Sequence, residues 1–313
     1  MRHGILLVDK PCGPTSHDVV ERVRHALGIK KVGHMGTLDP LATGLLLLGV
    51  GEGTKLTPFL SGLDKTYRCT ARLGARSSTY DAMGEIESVG NPGDLGRERI
   101  EEALRAFRGT IEQLPPPFSA IKVKGRPLYK YARAGEEVER QARRVRIDAL
   151  EIGDWSPPDL RLLMRVGSGT YVRSVVHDLG EALEVGAYVT ELRRTAVGEF
   201  KVEEAIAVTV GGTFVAEIEK GMRTLAEGLS HMPQARVPDS LVAAVRAGGA
   251  IVADRLDPRP ALEAHDQCAL VDGEGRLLAV ARTIVNRGEM KVPFGETRRG
   301  DRLLKPIRVF HNE

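Results

Sequence analysis

The order of apolar and polar residues along the chain predicts strands of two kinds. Residues 4–8 and 45–50 are short, continuous apolar runs, which are typical of strands covered on both faces. Apolar and polar residues alternate instead over residues 64–74, 145–149 and 160–166, as expected for strands with one buried face. We therefore expect a sheet of which one part is buried on both sides.

Apolar residues at helical spacing predict three amphipathic helices among these strands, near residues 19–27, 100–107 and 172–183. Thr15 and Asp18 stand three residues apart at the start of the first helix, which predicts a reciprocal capping box. The chain up to about residue 200 therefore combines a sheet with helices that pack on it.

The pattern changes past about residue 234 to a small unit with shorter elements. We expect two domains, residues 1–233 and residues 234–313, and the second has the pattern of a small β-barrel that holds nucleic acid by its backbone. Its predicted elements are a helix at residues 240–246, strands at residues 267–271, 276–282 and 302–310, and a hairpin turn at residues 273–275. Its basic edge consists of Arg298, Arg299, Arg302, Lys305 and Arg308.

Composition says little about binding partners but indicates the cellular compartment. The chain has 313 residues with 45 basic and 42 acidic side chains, so no overall charge indicates a polyanion partner. Cys12, Cys69 and Cys268 are far apart, which argues against a zinc site or a disulfide framework and favours a reducing compartment. No apolar run has the roughly 18 residues of a membrane span. We expect a cytoplasmic protein without a metal.

Two glycines, a histidine and one acid crowd into residues 33–40, Gly-His-Met-Gly-Thr-Leu-Asp-Pro. Because it precedes Pro40, Asp39 is expected in an extended or turn conformation, and the glycines allow a ligand to approach the backbone. The alternative is an Asx-type turn with a purely structural acid. We interpret Asp39 as the centre of a candidate site.

Three other side chains have both a structural and a functional interpretation. Tyr67 faces inward at a strand start, either as a core residue or as a base-stacking or acid–base group. Arg173 lies in the first turn of a helix, where a cation opposes the helix dipole, so it is either solvent-exposed or paired with a carboxylate or phosphate. Lys10 is either a surface lysine or a buttress beside the Asp39 loop.

Basic and aromatic residues alternate over residues 122–133, beginning at Lys122 and ending at Arg133. Such a segment is usually a solvated face, but cations beside stacking surfaces also suit a single-stranded RNA loop.

Taken together, these motifs resemble the bacterial tRNA pseudouridine synthase B family over nearly the whole chain. The segment at residues 119–133 resembles the stand-alone bacterial branch rather than the guide-RNA-dependent branch. The resemblance implies an α+β pseudouridine synthase fold, with a mixed, mostly antiparallel central sheet flanked by helices, and a C-terminal PUA β-barrel. It rests on Lys-Pro-Cys-Gly-Pro-Thr-Ser at 10–16, the motif at 33–40 with Ala-Thr-Gly at 42–44, Gly-Thr-Tyr-Val-Arg-Ser at 169–174 and Leu-Arg-Arg-Thr at 192–195.

The resemblance also implies an activity and its partner. The protein is expected to be an isomerase that flips the T-loop uridine of tRNA, conventionally numbered 55, and converts it to pseudouridine. It would use no cofactor, bind the T-arm stem-loop as a monomer, and have an additional tRNA-folding role. Phe118 stands where many relatives have tyrosine, and Met35 occupies a position where small or hydroxylic residues are common.

Residue roles follow from the same resemblance. Asp39 would be the nucleophile, Tyr67 would stack on the base and help proton removal, and Arg173 would pair with the Asp39 carboxylate. Further residues with implied roles are Tyr171 and Leu192 (pocket lining), His34 (filling the stack left by the flipped uridine), Lys10 (a structural lysine beside the site), and Lys122, Arg133 and Arg193 (RNA binding).

The residue types suit this chemistry but leave the route open. The Asp39 carboxylate can attack the sugar C1′, or it can assist glycal formation by removing the 2′ proton. A glycoside hydrolase would also use a carboxylate nucleophile, but it needs a second positioned acid, which these motifs do not offer. A non-catalytic RNA-binding protein would not need Asp39 to be paired with Arg173.

Overall fold

A computed structural model describes residues 3–208, 212–257, 266–285 and 302–311. The helices are α1 (Ser16–Leu27), α2 (Thr57–Leu60), α3 (Arg97–Arg105), α4 (Leu128–Arg133), α5 (Val172–Ala182), α6 (Gly212–Gly221) and α7 (Asp239–Arg246). The strands are β1 (Gly4–Lys10), β2 (Val32–His34), β3 (Thr43–Val50), β4 (Lys65–Leu73), β5 (Ala75–Ser77), β6 (Ile86–Ser88), β7 (Gly109–Gln113), β8 (Lys122–Val123), β9 (Arg126–Pro127), β10 (Arg143–Ser156), β11 (Asp159–Val166), β12 (Ala187–Val197), β13 (Phe200–Lys201), β14 (Ile206–Ala207), β15 (Met222–Arg223), β16 (Gln234–Arg236), β17 (Ile251–Val252), β18 (Gln267–Val271), β19 (Leu277–Val285) and β20 (Arg302–Val309).

The large sheet has the strand order β14-β1-β3-β12-β4-β11-β10-β7, with β2, β13 and β15 paired at its side. Most neighbours are antiparallel, while β12 is parallel to β3 and β14 is parallel to β1. The predicted α+β fold with a mixed, mostly antiparallel sheet is therefore confirmed.

Helices α1, α3, α5 and α6 cover one face of this sheet and share its main core. Along β4, Tyr67, Cys69 and Ala71 point into that core, whereas Arg68 and Arg72 are exposed, so the predicted alternation is confirmed. The predicted capping box of α1 also forms, with Thr15 and Asp18 exchanging hydrogen bonds. Rigid strands and a capped helix thus surround the Asp39 loop.

The opposite face of β1 and β3 packs against the C-terminal unit. Leu6 and Val8 face the helices, while Ile5 and Leu7 lie in a second core together with Phe310, which is 1% exposed. The prediction that the apolar runs are covered on both faces is confirmed. Residues from both units therefore form this second core.

The C-terminal unit is a five-stranded sheet of order β16-β18-β19-β20-β17 with α7 and its own core, which fits the expected small PUA-like barrel. The predicted hairpin turn joins β18 to β19, and β19 begins at Leu277 rather than Arg276. Lys305 and Arg308 are exposed on β20, while Arg298 and Arg299 lie outside the described residues. The domain boundary at residue 234 stays a prediction.

Within the described ranges, no helix is both long enough and apolar enough to cross a membrane. In the same residues, no three histidine, cysteine, aspartate or glutamate side chains are grouped as a metal site.

Candidate active site

Asp39 lies in the loop between β2 and β3, and this loop is held from several sides. The Ser16 hydroxyl accepts from the Leu38 amide at 2.8 Å and donates to the Leu38 carbonyl at 2.9 Å. The turn after Asp39 is closed through the backbone, because the Ala42 amide donates to the Asp39 carbonyl at 3.1 Å. The carboxylate is therefore not used in the turn and is available for another partner.

Lys10 supports this loop through hydrogen bonds to backbone carbonyls. Its side chain is fully buried, and Nζ donates to the carbonyls of Pro11, Pro14 and Pro40 at 2.9, 2.8 and 3.2 Å. Burial lowers the pKa of Lys10 to about 8. The position agrees with the buttress interpretation, since the ammonium ties the loop after β1 to the residue that follows Asp39.

Arg173 holds the Asp39 carboxylate with two hydrogen bonds. Nε donates to Oδ2 at 2.8 Å and Nη2 donates to Oδ1 at 3.0 Å, although the residues are 134 positions apart. The same guanidinium donates to the carbonyls of Thr79 and Phe118 at 2.8 and 2.9 Å. The Arg173 side chain is 4% exposed and that of Asp39 is 33% exposed, so a buried guanidinium fixes the orientation of a carboxylate that solvent reaches. At Phe118 it is the main-chain carbonyl that makes this contact.

Asp81 is a second acid at this guanidinium that sequence reasoning did not identify. Its Oδ2 lies 3.6 Å from Nη1 of Arg173, and its side chain is 6% exposed. Oδ1 accepts from the Thr79 hydroxyl and from the Met83 amide. Arg173 thus lies between two carboxylates, of which only Asp39 is open to solvent.

Arg194 is a further buried residue that sequence reasoning missed, although the Leu-Arg-Arg-Thr motif at residues 192–195 contains it. It is 2% exposed and donates through Nε to the Leu45 carbonyl at 2.7 Å, and through Nη2 to the Gly36 carbonyl at 3.0 Å. The signal was present in the sequence, because Leu192 and Arg194 share a face of an alternating strand. Arg194 therefore ties β12 to β3 and to the Asp39 loop.

Asp39 opens into a cavity of about 550 Å³ beside the start of β4 and residues 192 and 194 of β12. Tyr67 and Leu192 line its wall, and burial raises the pKa of Tyr171, which lines it at the start of α5. The Arg133 guanidinium lies over the Tyr129 ring at 5.6 Å, and both residues also line the cavity. The cavity thus brings together Asp39, Arg173, Tyr67, Tyr171, Leu192 and Arg133.

Besides Lys10, three sequence candidates lie outside this cavity. His34 is half-buried on β2, where burial lowers its pKa and Nδ1 has no hydrogen-bond partner among the described residues. Lys122 is exposed on the β8–β9 hairpin. Arg193 points to the other face of the sheet and forms a bidentate ion pair with Asp9 at 3.0 and 2.7 Å.

Comparisons with known proteins agree with this fold. Residues 24–172 match the N-terminal domain of the TruB family of pseudouridylate synthases, and residues 173–212 match the tRNA pseudouridylate synthase B C-terminal domain. The tRNA pseudouridine synthase B of Azoarcus sp. (strain BH72) is 42% identical over 246 residues, covering 78% of this chain and 82% of that protein.

A second relative spans the whole length. The tRNA pseudouridine synthase B of Syntrophotalea carbinolica (strain DSM 2380) is 37% identical over 311 residues, covering 99% of this chain and 98% of that protein. A chain of an H/ACA RNP solved with a substrate RNA containing 2′-deoxyuridine has a TM-score of 0.72 at 25% identity, covering 99% of this chain and 85% of that chain. The protein is a pseudouridine synthase, an isomerase, and belongs to the TruB family.

Proposed function

We propose that this protein isomerises the T-loop uridine of tRNA at position 55 to pseudouridine, with Asp39 as the nucleophile. The observation that carries the proposal is the bidentate Asp39–Arg173 pair at the mouth of the cavity beside Tyr67. The relatives named tRNA pseudouridine synthase B support tRNA as the substrate class.

The reaction breaks the bond between N1 of the base and C1′ of the ribose and forms a bond between C5 and C1′. The C5 proton is lost and N1 gains a proton, so no oxidant or other reactant is consumed. Attack of Asp39 on C1′ and Asp39-assisted glycal formation both need an ionised carboxylate. Arg173 pairs with this carboxylate through two charge-assisted hydrogen bonds, which hold it in one orientation.

The cavity suits a nucleotide that has left its stack. Extruding the uridine costs a few kcal/mol, which stacking on the Tyr67 ring and contacts to the RNA backbone offset. The exposed cations on β20 of the PUA-like unit, Lys305 and Arg308, would bind RNA phosphates. A monomeric state and a cytoplasmic location stay predictions.

The test uses tRNA with tritium at C5 of its uridines, because product formation releases that label. We expect the wild-type protein to release tritium, and Asp39→Asn to bind the tRNA without releasing any. Release by Asp39→Asn at the wild-type rate would contradict the role of Asp39. Binding without release by the wild-type protein would favour a non-catalytic RNA-binding protein.

A further inference from the structure

Lys65 is a buried cation of the cavity that the proposed chemistry does not use. It is 7% exposed at the start of β4, and Nζ donates to the carbonyls of Ser61 and Leu63, both at 2.6 Å. The acid next to it in sequence, Asp64, is paired with Arg146 at 2.6 Å. Among the described residues, Lys65 therefore has two neutral carbonyls and no carboxylate as hydrogen-bond partners.

Arg194 is a second cation of the same kind in the same wall. It faces the cavity from β12, the strand that pairs with β4, and its hydrogen bonds within the described residues go to backbone carbonyls of the Asp39 loop and β3. Burial, together with the charge of Arg194, lowers the pKa of Lys65 to about 8. Lys65 and Arg194 are thus two like charges in one wall, and neither forms an ion pair with a described residue.

The charge of the whole cavity has the same sign. Among the described lining residues there is a single acid, Asp39, and it is neutralised by Arg173. Buried charges are ordinarily paired, because an unpaired ion in a low-dielectric site is strongly unfavourable. The unpaired positive charge therefore indicates a site that a ligand anion completes. The cationic lining residues are Lys65, Arg133, Arg173 and Arg194.

The loop next to Lys65 leaves room for such a ligand. The Ser168 hydroxyl donates to the Ser61 carbonyl at 3.1 Å, the same carbonyl that Lys65 binds. Gly169 has a φ of +88°, and a Cβ built there would meet no atom within 4 Å. This side of the cavity therefore has room for an RNA strand.

We propose that Lys65 binds a phosphodiester oxygen adjacent to the target uridine, with Arg194 supplying a second positive charge behind it. This inference rests on the proposed function, because it assumes that an RNA strand enters the cavity. A flipped nucleotide carries its flanking phosphates with it, and a fixed ammonium in the cavity wall can hold one of them and set the depth to which the base enters.

The test measures binding to stem-loop RNAs in the Asp39→Asn background, so that no substrate is converted. The RNAs carry the natural backbone or one neutral methylphosphonate, placed on the 5′ or on the 3′ side of the target uridine. The proteins carry native Lys65, Lys65→Met or Lys65→Arg. The matched control is Lys220→Met, which removes an exposed lysine on α6 that does not line the cavity.

We expect Lys65→Met to bind the natural RNA about ten- to a hundredfold more weakly. The slope of the logarithm of the binding constant against the logarithm of the salt concentration should also become smaller by about one. Lys65→Arg should retain most of the affinity, and Lys220→Met should match the protein with native Lys65. One of the two methylphosphonates should weaken binding to native Lys65 and leave binding to Lys65→Met unchanged, because both changes remove the same contact.

Two outcomes would overturn the inference. One is that neither methylphosphonate weakens binding to the protein with native Lys65, a comparison that does not depend on how well the variants fold. The other is that the losses from Lys65→Met and from the methylphosphonate simply add. If none of the proteins binds RNA, the proposed function is wrong as well. If they bind RNA but show either of the two outcomes above, only the role of Lys65 is wrong.

Discussion

Replacing Arg173 tests whether this side chain holds two acids together. Arg173→Met removes the only cation paired with Asp81 in the described residues and leaves both carboxylates without the guanidinium that holds them. Removing one partner of a buried ion pair costs about 3–5 kcal/mol, and we expect about 3 because Asp39 is one-third exposed. Arg173→Lys keeps the charge but cannot make all four hydrogen bonds, so it should cost about 1–3 kcal/mol.

Urea unfolding measures this loss, since the single tryptophan, Trp155, lies on β10 of the large sheet and reports on its unfolding. Adding Asp81→Asn to Arg173→Met should recover part of the stability, because it removes a carboxylate that has lost its partner. The pairing would be refuted if Arg173→Met unfolds within about 1 kcal/mol of the wild-type protein, or if the two substitutions are additive.

Other predictions concern the shared core, acid stability and the hydroxyl of Tyr67. Phe310→Ala should cost about 3–5 kcal/mol, and the unfolding midpoint reported by Trp155 should fall; an unchanged midpoint would mean that the two units unfold independently. Burial opposes the ionisation of Glu52, but hydrogen bonds from two lysines outweigh it and lower its pKa to about 2. Stability should therefore fall as the pH decreases from about 4.5 towards 2, and urea unfolding should show a flatter pH dependence for Glu52→Gln. Tyr67→Phe should retain base stacking but turn over more slowly, and turnover at the wild-type rate in single-turnover assays would limit Tyr67 to a stacking role.

Local patterns of the sequence predicted the elements that hold the site. Alternation along β4 placed Tyr67 on the buried face, and the spacing of Thr15 and Asp18 predicted the start of α1. Arg173 in the first turn of α5 left two possibilities, solvent exposure or an anionic partner, because a cation is unfavourable there. These patterns involve residues that are close in sequence, so they can be interpreted without knowledge of the fold.

Contacts between distant segments could not be predicted in the same way. Asp81 lies in an irregular connection between β5 and β6, and nothing around it in the sequence indicates that it meets Arg173. The apolar run of β1 predicted cover on both faces but not that Phe310 supplies part of it. Arg193 and Arg194 differ only in the face of β12 on which they lie, and the structure places Arg194 in the cavity and Arg193 beside Asp9.

Mapping of pseudouridine in tRNA incubated with the purified protein tests the proposed function most directly. We predict that the wild-type protein converts the T-loop uridine at position 55 and that Asp39→Asn converts none while still binding the tRNA. Conversion of that uridine by Asp39→Asn, or no conversion by the wild-type protein, would contradict the assignment of Asp39 as the nucleophile of a tRNA pseudouridine synthase.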